Sequence, residues 1–133
     1  MSRFVFDHLQ LRSRNPEAAA EWFRSCLDAE VFVRPNGIGM RVAGVNVFIS
    51  PVVDGDGVAP APLPPYEGLD HFGLVVQDLD AVARELKARN VLFYAEPHII
   101  RPGVKGCFIK GPDQIAIETV SYTHLTLPTN REV

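Results

Sequence analysis

Two histidines and one glutamate have the chemistry of a metal site. His8 and His71 each follow an aspartate, and Glu118 follows Ile117 in an apolar run. Two imidazoles and one carboxylate suit divalent transition metals and leave coordination positions open for a substrate. Burying an unpaired carboxylate is costly, so Glu118 should face solvent, a cation or a metal. We predict that all three residues bind one divalent ion, with Glu118 also the candidate catalytic residue.

An internal repeat relates the two histidines. The segment FDHLQLRSRNPEAAAEWF is echoed by LDHFGLVVQDLDAVAREL, and the Asp-His pair recurs 63 residues later. Seven residues after each histidine stands a residue of the type that begins helices, Asn15 or Asp78. The repeat predicts that His8 and His71 occupy equivalent mid-strand positions on an inner sheet face.

Successive side chains of a strand point to opposite faces of its sheet. We therefore predict that Asp7 and Asp70, which directly precede the histidines, point to the face opposite them. There they would cap or pair structurally and would not bind metal.

Short β-rich runs separated by turn signals follow each predicted helix. The predicted strands after the helices are 30–34, 37–42 and 45–49 in the first copy, and 91–94, 104–109 and 114–119 in the second. The order is β, α, β, β, β, twice. We therefore predict an α+β fold within a single domain, residues 1–119. Its two βαβββ modules span about 3–50 and 69–119, joined by a Pro- and Gly-rich linker at about 51–68.

Length and composition fit one globular domain. The chain has 133 residues, 47% of them hydrophobic and 22% charged, and a net charge of −3 without a basic cluster. Nucleic acid and membrane are therefore not expected partners. No signal-peptide pattern is seen at the N-terminus, so we expect a cytoplasmic location, in which Cys26 and Cys107 would be free thiols.

We expect the C-terminal segment to lie outside the natural domain. VSYTHLTLPTNREV resembles the conceptual translation of a sequencing-library adapter, and we expect residues 120–133 to be non-native. The alternative is a native tail in which Tyr122, Leu125 and Leu127 extend the last strand. His124 is given no role.

Two βαβββ modules that open with Asp-His resemble the vicinal oxygen chelate superfamily, which includes glyoxalase I, extradiol dioxygenases, fosfomycin-resistance enzymes and bleomycin-binding proteins. The segment GPDQIAIE, ending at Glu118, resembles the family's last strand with its metal-binding glutamate. The resemblance covers about residues 3–119. It implies a curved mixed sheet around a cavity, one divalent ion (Fe, Mn, Ni, Co or Zn), a small-molecule substrate and a homodimer.

The sequence departs from glyoxalase I at the last strand of the first module. Where that family carries a carboxylate, GVNVFISP offers Phe48, Ile49 or Ser50, depending on register. The fourth ligand is therefore water or a residue near Ile49. The remaining ligand set is similar to that of extradiol dioxygenases and fosfomycin-resistance transferases.

The resemblance implies a metal-dependent enzyme that acts on a small oxygenated substrate by bidentate chelation. The enzyme would be a glyoxalase-like lyase or isomerase, a dioxygenase or a thiol transferase. The alternative is a metal-free binding protein of the bleomycin-resistance kind.

Other charged groups are weaker candidates. His98 is expected in a loop that could line the cavity mouth. The 101–105 turn could offer cations to an anionic substrate, although the sequence favours a solvated hairpin turn there. Arg34 and Arg41 are ambiguous in the same way.

Overall fold

The computed structural model describes residues 2–123, which divide near Pro60 into two compact units. In the first module the elements are β1 (His8–Ser13), α1 (Pro16–Leu27), β2 (Glu30–Arg34), β3 (Gly37–Val42) and β4 (Val45–Pro51). In the second they are β5 (Phe72–Val75), α2 (Leu79–Ala88), β6 (Phe93–Arg101), β7 (Val104–Lys110), a 3-10 turn (Pro112–Gln114) and β8 (Ala116–Tyr122). The predicted α+β fold of two βαβββ modules is confirmed.

Each module contains one four-stranded mixed sheet. The strand order is β1-β4-β3-β2 in the first and β5-β8-β7-β6 in the second. The first strand of each module pairs in parallel with the last strand, and the other neighbours are antiparallel. The two sheets therefore repeat the same topology.

Both helices begin where the sequence predicts. The side chain of Asn15 accepts a hydrogen bond from the backbone N–H of Ala18, and that of Asp78 accepts one from Ala81. These caps satisfy N–H groups that have no partner within the helix. The predicted switch from strand to helix is confirmed in both copies.

The core of each module lies between its helix and one sheet face. The α1 face buries Ala19, Ala20 and Phe23, and the α2 face buries Leu79, Ala83 and Leu86. Cys26, Leu27 and Val82, which also belong to these helices, are only partly buried. Both cysteines are free thiols, as expected, and the buried Cys107 lies 3.0 Å from the Thr119 hydroxyl.

Several strand boundaries in the second module differ from the prediction. β6 begins two residues later than predicted and continues to Arg101, with irregular register against β7. β8 begins after the 3-10 turn and continues to Tyr122, past the predicted domain end at 119. Val120 is buried, and the Ser121 hydroxyl donates to the carbonyl of Val76. Sheet pairing, which propensity does not report, sets these ends.

Residues 52–71 contain no helix or strand. His124 and the other expected tail residues from 124 to 133 lie outside the described part of the chain. No helix within residues 2–123 is both long and apolar enough to cross a membrane.

Candidate metal-binding site

His71 and Glu118 meet on the open face of the second sheet. Gly73 of β5 pairs with Glu118 of β8, and His71 directly precedes β5. The imidazole Nε2 lies 3.5 Å from Oε1 of Glu118. The sequence-based prediction that these two side chains lie close together is confirmed.

Two glycines lie beside the Glu118 carboxylate, and Gly73 is the one that makes room for it. A Cβ atom on Gly73 would lie 3.2 Å from Oε1, and one on Gly106 would lie 3.5 Å from Oε2. The side chain is 19% exposed, and its ionisable neighbour is the imidazole of His71. A partly buried carboxylate with so few polar contacts favours a cation beside it.

Phe108 also contacts the His71 ring. The two rings meet edge to face with centroids 4.8 Å apart. Phe108 pairs with Glu118 between β7 and β8, so the sheet places the aromatic ring and the carboxylate side by side. This contact restricts the rotation of the imidazole.

The preceding aspartate orients each imidazole. His8 Nδ1 lies 2.6 Å from the Asp7 carboxylate, and His71 Nδ1 lies 2.6 Å from the Asp70 carboxylate. An ionised carboxylate only accepts, so Nδ1–H donates and a neutral ring presents its lone pair at Nε2. A carboxylate on the second nitrogen is the usual partner of a metal-binding histidine.

His8 lies on the open face of the first module, where it stacks on Phe48. The ring centroids are 4.6 Å apart and the planes are inclined by 28°. In this module Gln10 pairs with Phe48, as Gly73 pairs with Glu118 in the other. The register therefore assigns Phe48, among the three candidates in GVNVFISP, to the position equivalent to Glu118.

The donors of the second module fit a metal ion in chemistry and spacing. Two ligand atoms each about 2.1 Å from one ion lie about 3.0 to 3.4 Å apart at ordinary coordination angles. The 3.5 Å between Nε2 of His71 and Oε1 of Glu118 is close to that range. Over residues 2–123 the structure shows no group of three His, Cys, Asp or Glu side chains able to hold a metal. A site on this pair therefore needs at least one further ligand.

The two histidines are not mid-strand as predicted. His8 is the first residue of β1, and His71 precedes β5. Strand alternation does not govern these ends, so Asp7 and Asp70 reach the imidazole beside them and do not turn to the opposite face. Their predicted structural pairing is confirmed, but their partner was not foreseen.

The weaker candidates have local partners. His98 lies in β6 and not in a loop, and its Nδ1 lies 2.8 Å from the Glu96 carbonyl. Lys105 donates to Asp80, and Arg41 donates to the side chain of Asn46. Arg34 lies with its guanidinium carbon 3.5 Å from the centroid of the Phe48 ring. No sequence pattern predicts that contact, because it depends on strand register.

A cleft of about 590 Å³ lies elsewhere in the second module. It lies between the start of α2, the turn of the β6-β7 hairpin and the end of β8. Neither His71 nor Glu118 lines it. We place the candidate metal site on the open sheet face, because the candidate ligands lie there.

Comparison with known proteins identifies the family. The glyoxalase/bleomycin resistance protein/dioxygenase superfamily matches residues 5–119. A comparison with curated proteins finds no significant match.

Solved structures with the same fold include a glyoxalase/bleomycin resistance protein/dioxygenase domain from Frankia sp. EAN1pec. It has 21% identity and a TM-score of 0.73, over 94% of this chain and 96% of that chain. The fosfomycin resistance protein FosX from Listeria monocytogenes has 17% identity and a TM-score of 0.65, over 93% and 96%. TioX from Micromonospora sp. ML1 has 13% identity and a TM-score of 0.63, over 92% and 100%. At these identities the likeness shows the fold alone. With its repeated topology and the family match over most of its length, the chain belongs to the glyoxalase/bleomycin resistance protein/dioxygenase superfamily.

Proposed function

We propose that the protein is a divalent-metal-dependent enzyme that acts on a small substrate with two vicinal oxygens, as a glyoxalase-like lyase or isomerase or an extradiol-type dioxygenase. The proposed ligands are His8, His71 and Glu118. The observation that carries the proposal is the 3.5 Å pair of His71 and Glu118, whose imidazole is oriented by Asp70. The equivalent Asp7-His8 pair supports His8 as the third ligand.

The residues of the site have separable roles. Asp70 holds a proton on Nδ1 of His71, so that Nε2 presents a lone pair beside the Glu118 carboxylate. A bound divalent ion would stabilise negative charge that develops on a substrate oxygen. Glu118 contributes negative charge to cation binding and can accept a proton if a ligand position opens.

Metal content tests the proposal on the full chain. We expect about one ion per chain after purification without chelator or after reconstitution, because a complete ligand set binds stoichiometrically. His8→Ala, His71→Ala and Glu118→Gln should each lose the ion. Matched controls are His98→Ala, an exposed imidazole in β6, and Glu85→Gln, an exposed carboxylate in α2. Both should retain it.

A folded wild-type protein that takes up none of Fe, Mn, Ni, Co or Zn would overturn the enzyme proposal. The metal-free alternative, a small-molecule binding protein of the bleomycin-resistance kind, would then lead. The aromatic residue Phe48 at the position equivalent to Glu118 favours that alternative, because a ring binds organic ligands without a metal.

We also propose that the protein is a homodimer. Phe4, Val5 and Phe6 are 75%, 91% and 66% exposed, which is unusual for three consecutive apolar residues. Analytical ultracentrifugation should show a dimer, and the triple replacement of these residues by serine should shift it toward monomer. A monomeric wild-type protein would contradict the proposal.

A further inference from the structure

The ring of Phe48 on the open face of the first module has two charged or polarisable neighbours. His8 stacks on it from β1, and the guanidinium carbon of Arg34 lies 3.5 Å from its centroid. Since β4 lies between β1 and β3, these neighbours come from strands on either side of it. We call His8, Arg34 and Phe48 the Phe48 cluster.

Two glycines of β3 lie opposite residues of the edge strand β2. Phe32 of β2 pairs with Gly39, and Arg34 pairs with Gly37. A Cβ atom on Gly39 would lie only 2.2 Å from the Phe32 ring. The Arg34 side chain crosses β3 and reaches Phe48 in β4. The contact therefore depends on the register of three strands.

The charge of Arg34 is not neutralised by an ion pair among residues 2–123. Arg14 pairs with Asp54 and Arg24 pairs with Glu21, whereas no carboxylate lies within ion-pair distance of Arg34. A guanidinium stacked on an aromatic ring keeps its planar set of N–H donors for another partner. A carboxylate matches that set with two parallel hydrogen bonds.

We propose that the Phe48 cluster binds the carboxylate of a flat, conjugated substrate. Arg34 would bind the carboxylate, and the edge of the Phe48 ring, whose faces are covered by His8 and Arg34, would contact the apolar part of the molecule. The substrate class is then a small aromatic or otherwise conjugated carboxylic acid. This inference rests on the proposed function in one respect: it names the substrate class of the site to which His8 belongs.

Binding of benzoate, compared with its neutral analogue benzamide, tests the inference on the metal-free full chain. We expect benzoate to bind at least about tenfold more tightly than benzamide, because one charge-assisted bidentate pair is worth about that much. Arg34→Gln should abolish the difference, and Arg34→Lys should restore part of it, since lysine keeps the charge without the fork. Arg24→Gln, which removes the same charge from the helical side of the module, should leave it unchanged.

Calorimetry gives the affinities, and the Arg34 Nε–H signal in a ¹⁵N spectrum reports the contact directly. Phe48→Leu should weaken benzoate and benzamide together, because it removes the ring without touching the charge. Amide spectra of each variant establish that it is folded.

Equal affinities for benzoate and benzamide in wild type, or an unchanged ratio in Arg34→Gln, would overturn the inference. Because the titration is made without metal, its outcome is separate from metal content. Arg34-dependent benzoate binding in a protein that takes up no metal would overturn the proposed enzyme and leave the carboxylate site standing. Stoichiometric metal binding without selectivity for benzoate would support the proposed enzyme and overturn the carboxylate site.

Discussion

The two modules share a scaffold and differ on their open faces. The Asp-His pair, the helix cap and the central helix residue recur at 63-residue spacing, as Asp7 and Asp70, Asn15 and Asp78, Phe23 and Leu86. The strand orders are the same in both sheets. The residue two positions after each histidine pairs with the last strand of its module. In the first module that strand has Phe48 at the paired position, whereas in the second it has Glu118.

This difference shows which parts of a repeated fold can change independently. The helix-side face of each sheet is packed against its helix, so its residues must remain apolar and close-packed. The open face carries no such constraint within the module. Gly73 leaves space for the Glu118 carboxylate in the second module, whereas Gly39 leaves space for the Phe32 ring in the first. One scaffold thereby supports a proposed ligand pair and a proposed carboxylate-binding group.

The largest expected effect tests the shared core. Phe23→Ala should lower the free energy of unfolding by about 3–5 kcal/mol, and Leu86→Ala by about 2–5 kcal/mol, because both side chains are buried and truncation leaves a cavity. Chemical denaturation measures both. Val53→Ala, in the exposed part of the linker, should stay within about 0.5 kcal/mol. A small effect at one helix only would show that the two cores are not equivalent.

The next effect tests whether the Asp-His pairs serve the same purpose. Asp7→Asn and Asp70→Asn should each weaken metal binding by about 10- to 100-fold, because the carboxylate orients the imidazole and raises its basicity. Competition with a chromogenic chelator gives the affinities. Asp28→Asn, an exposed aspartate at the end of α1, is the control. An effect at Asp70 with none at Asp7 would remove His8 from the ligand set.

A smaller effect compares the two helix caps. Asn15→Ala and Asp78→Ala should each cost about 1 kcal/mol of unfolding free energy, because each removes the acceptor for a backbone N–H at the helix start. Asn15→Asp should be neutral or slightly stabilising, since a negative charge is favoured at this end. Thermal unfolding distinguishes these outcomes, and a destabilised Asn15→Asp would contradict the reasoning.

The smallest effect compares the two thiols. Burial raises the pKa of the Cys107 thiol in the second module, while Cys26 in the first is partly exposed. Iodoacetamide should therefore modify Cys26 first at pH 8, as peptide mass spectrometry can show, since the thiolate is the nucleophile.

The same raised pKa has a consequence for stability. The folded state keeps the Cys107 proton to higher pH than the unfolded state, so the free energy of unfolding should fall as pH rises above the ordinary thiol value. Cys107→Ala should lose this pH dependence. A slope that persists in Cys107→Ala would assign it to another group.

Much of the scaffold could be predicted from the sequence because its signals are local. The caps at Asn15 and Asp78 and the turn residues between short apolar runs led to the helix starts and to strands 30–34 and 37–42. The 63-residue repeat led to the two-module topology. The end of β8 was misplaced, because pairing with β7 and burial of Val120 continue the strand beyond the last clear sequence pattern.

Sequence alone predicted that His71 and Glu118 lie together, from residue type, the repeat of the Asp-His pair and the resemblance of GPDQIAIE to the family's last strand. Only the tertiary structure decided which residue of GVNVFISP is equivalent to Glu118, because strand register depends on pairing between segments far apart in the chain. It also decided that Arg34 lies on Phe48 and that each aspartate holds its neighbouring imidazole. Those contacts arise from side-chain packing across strands and at strand ends, where local propensity carries no information about the partner.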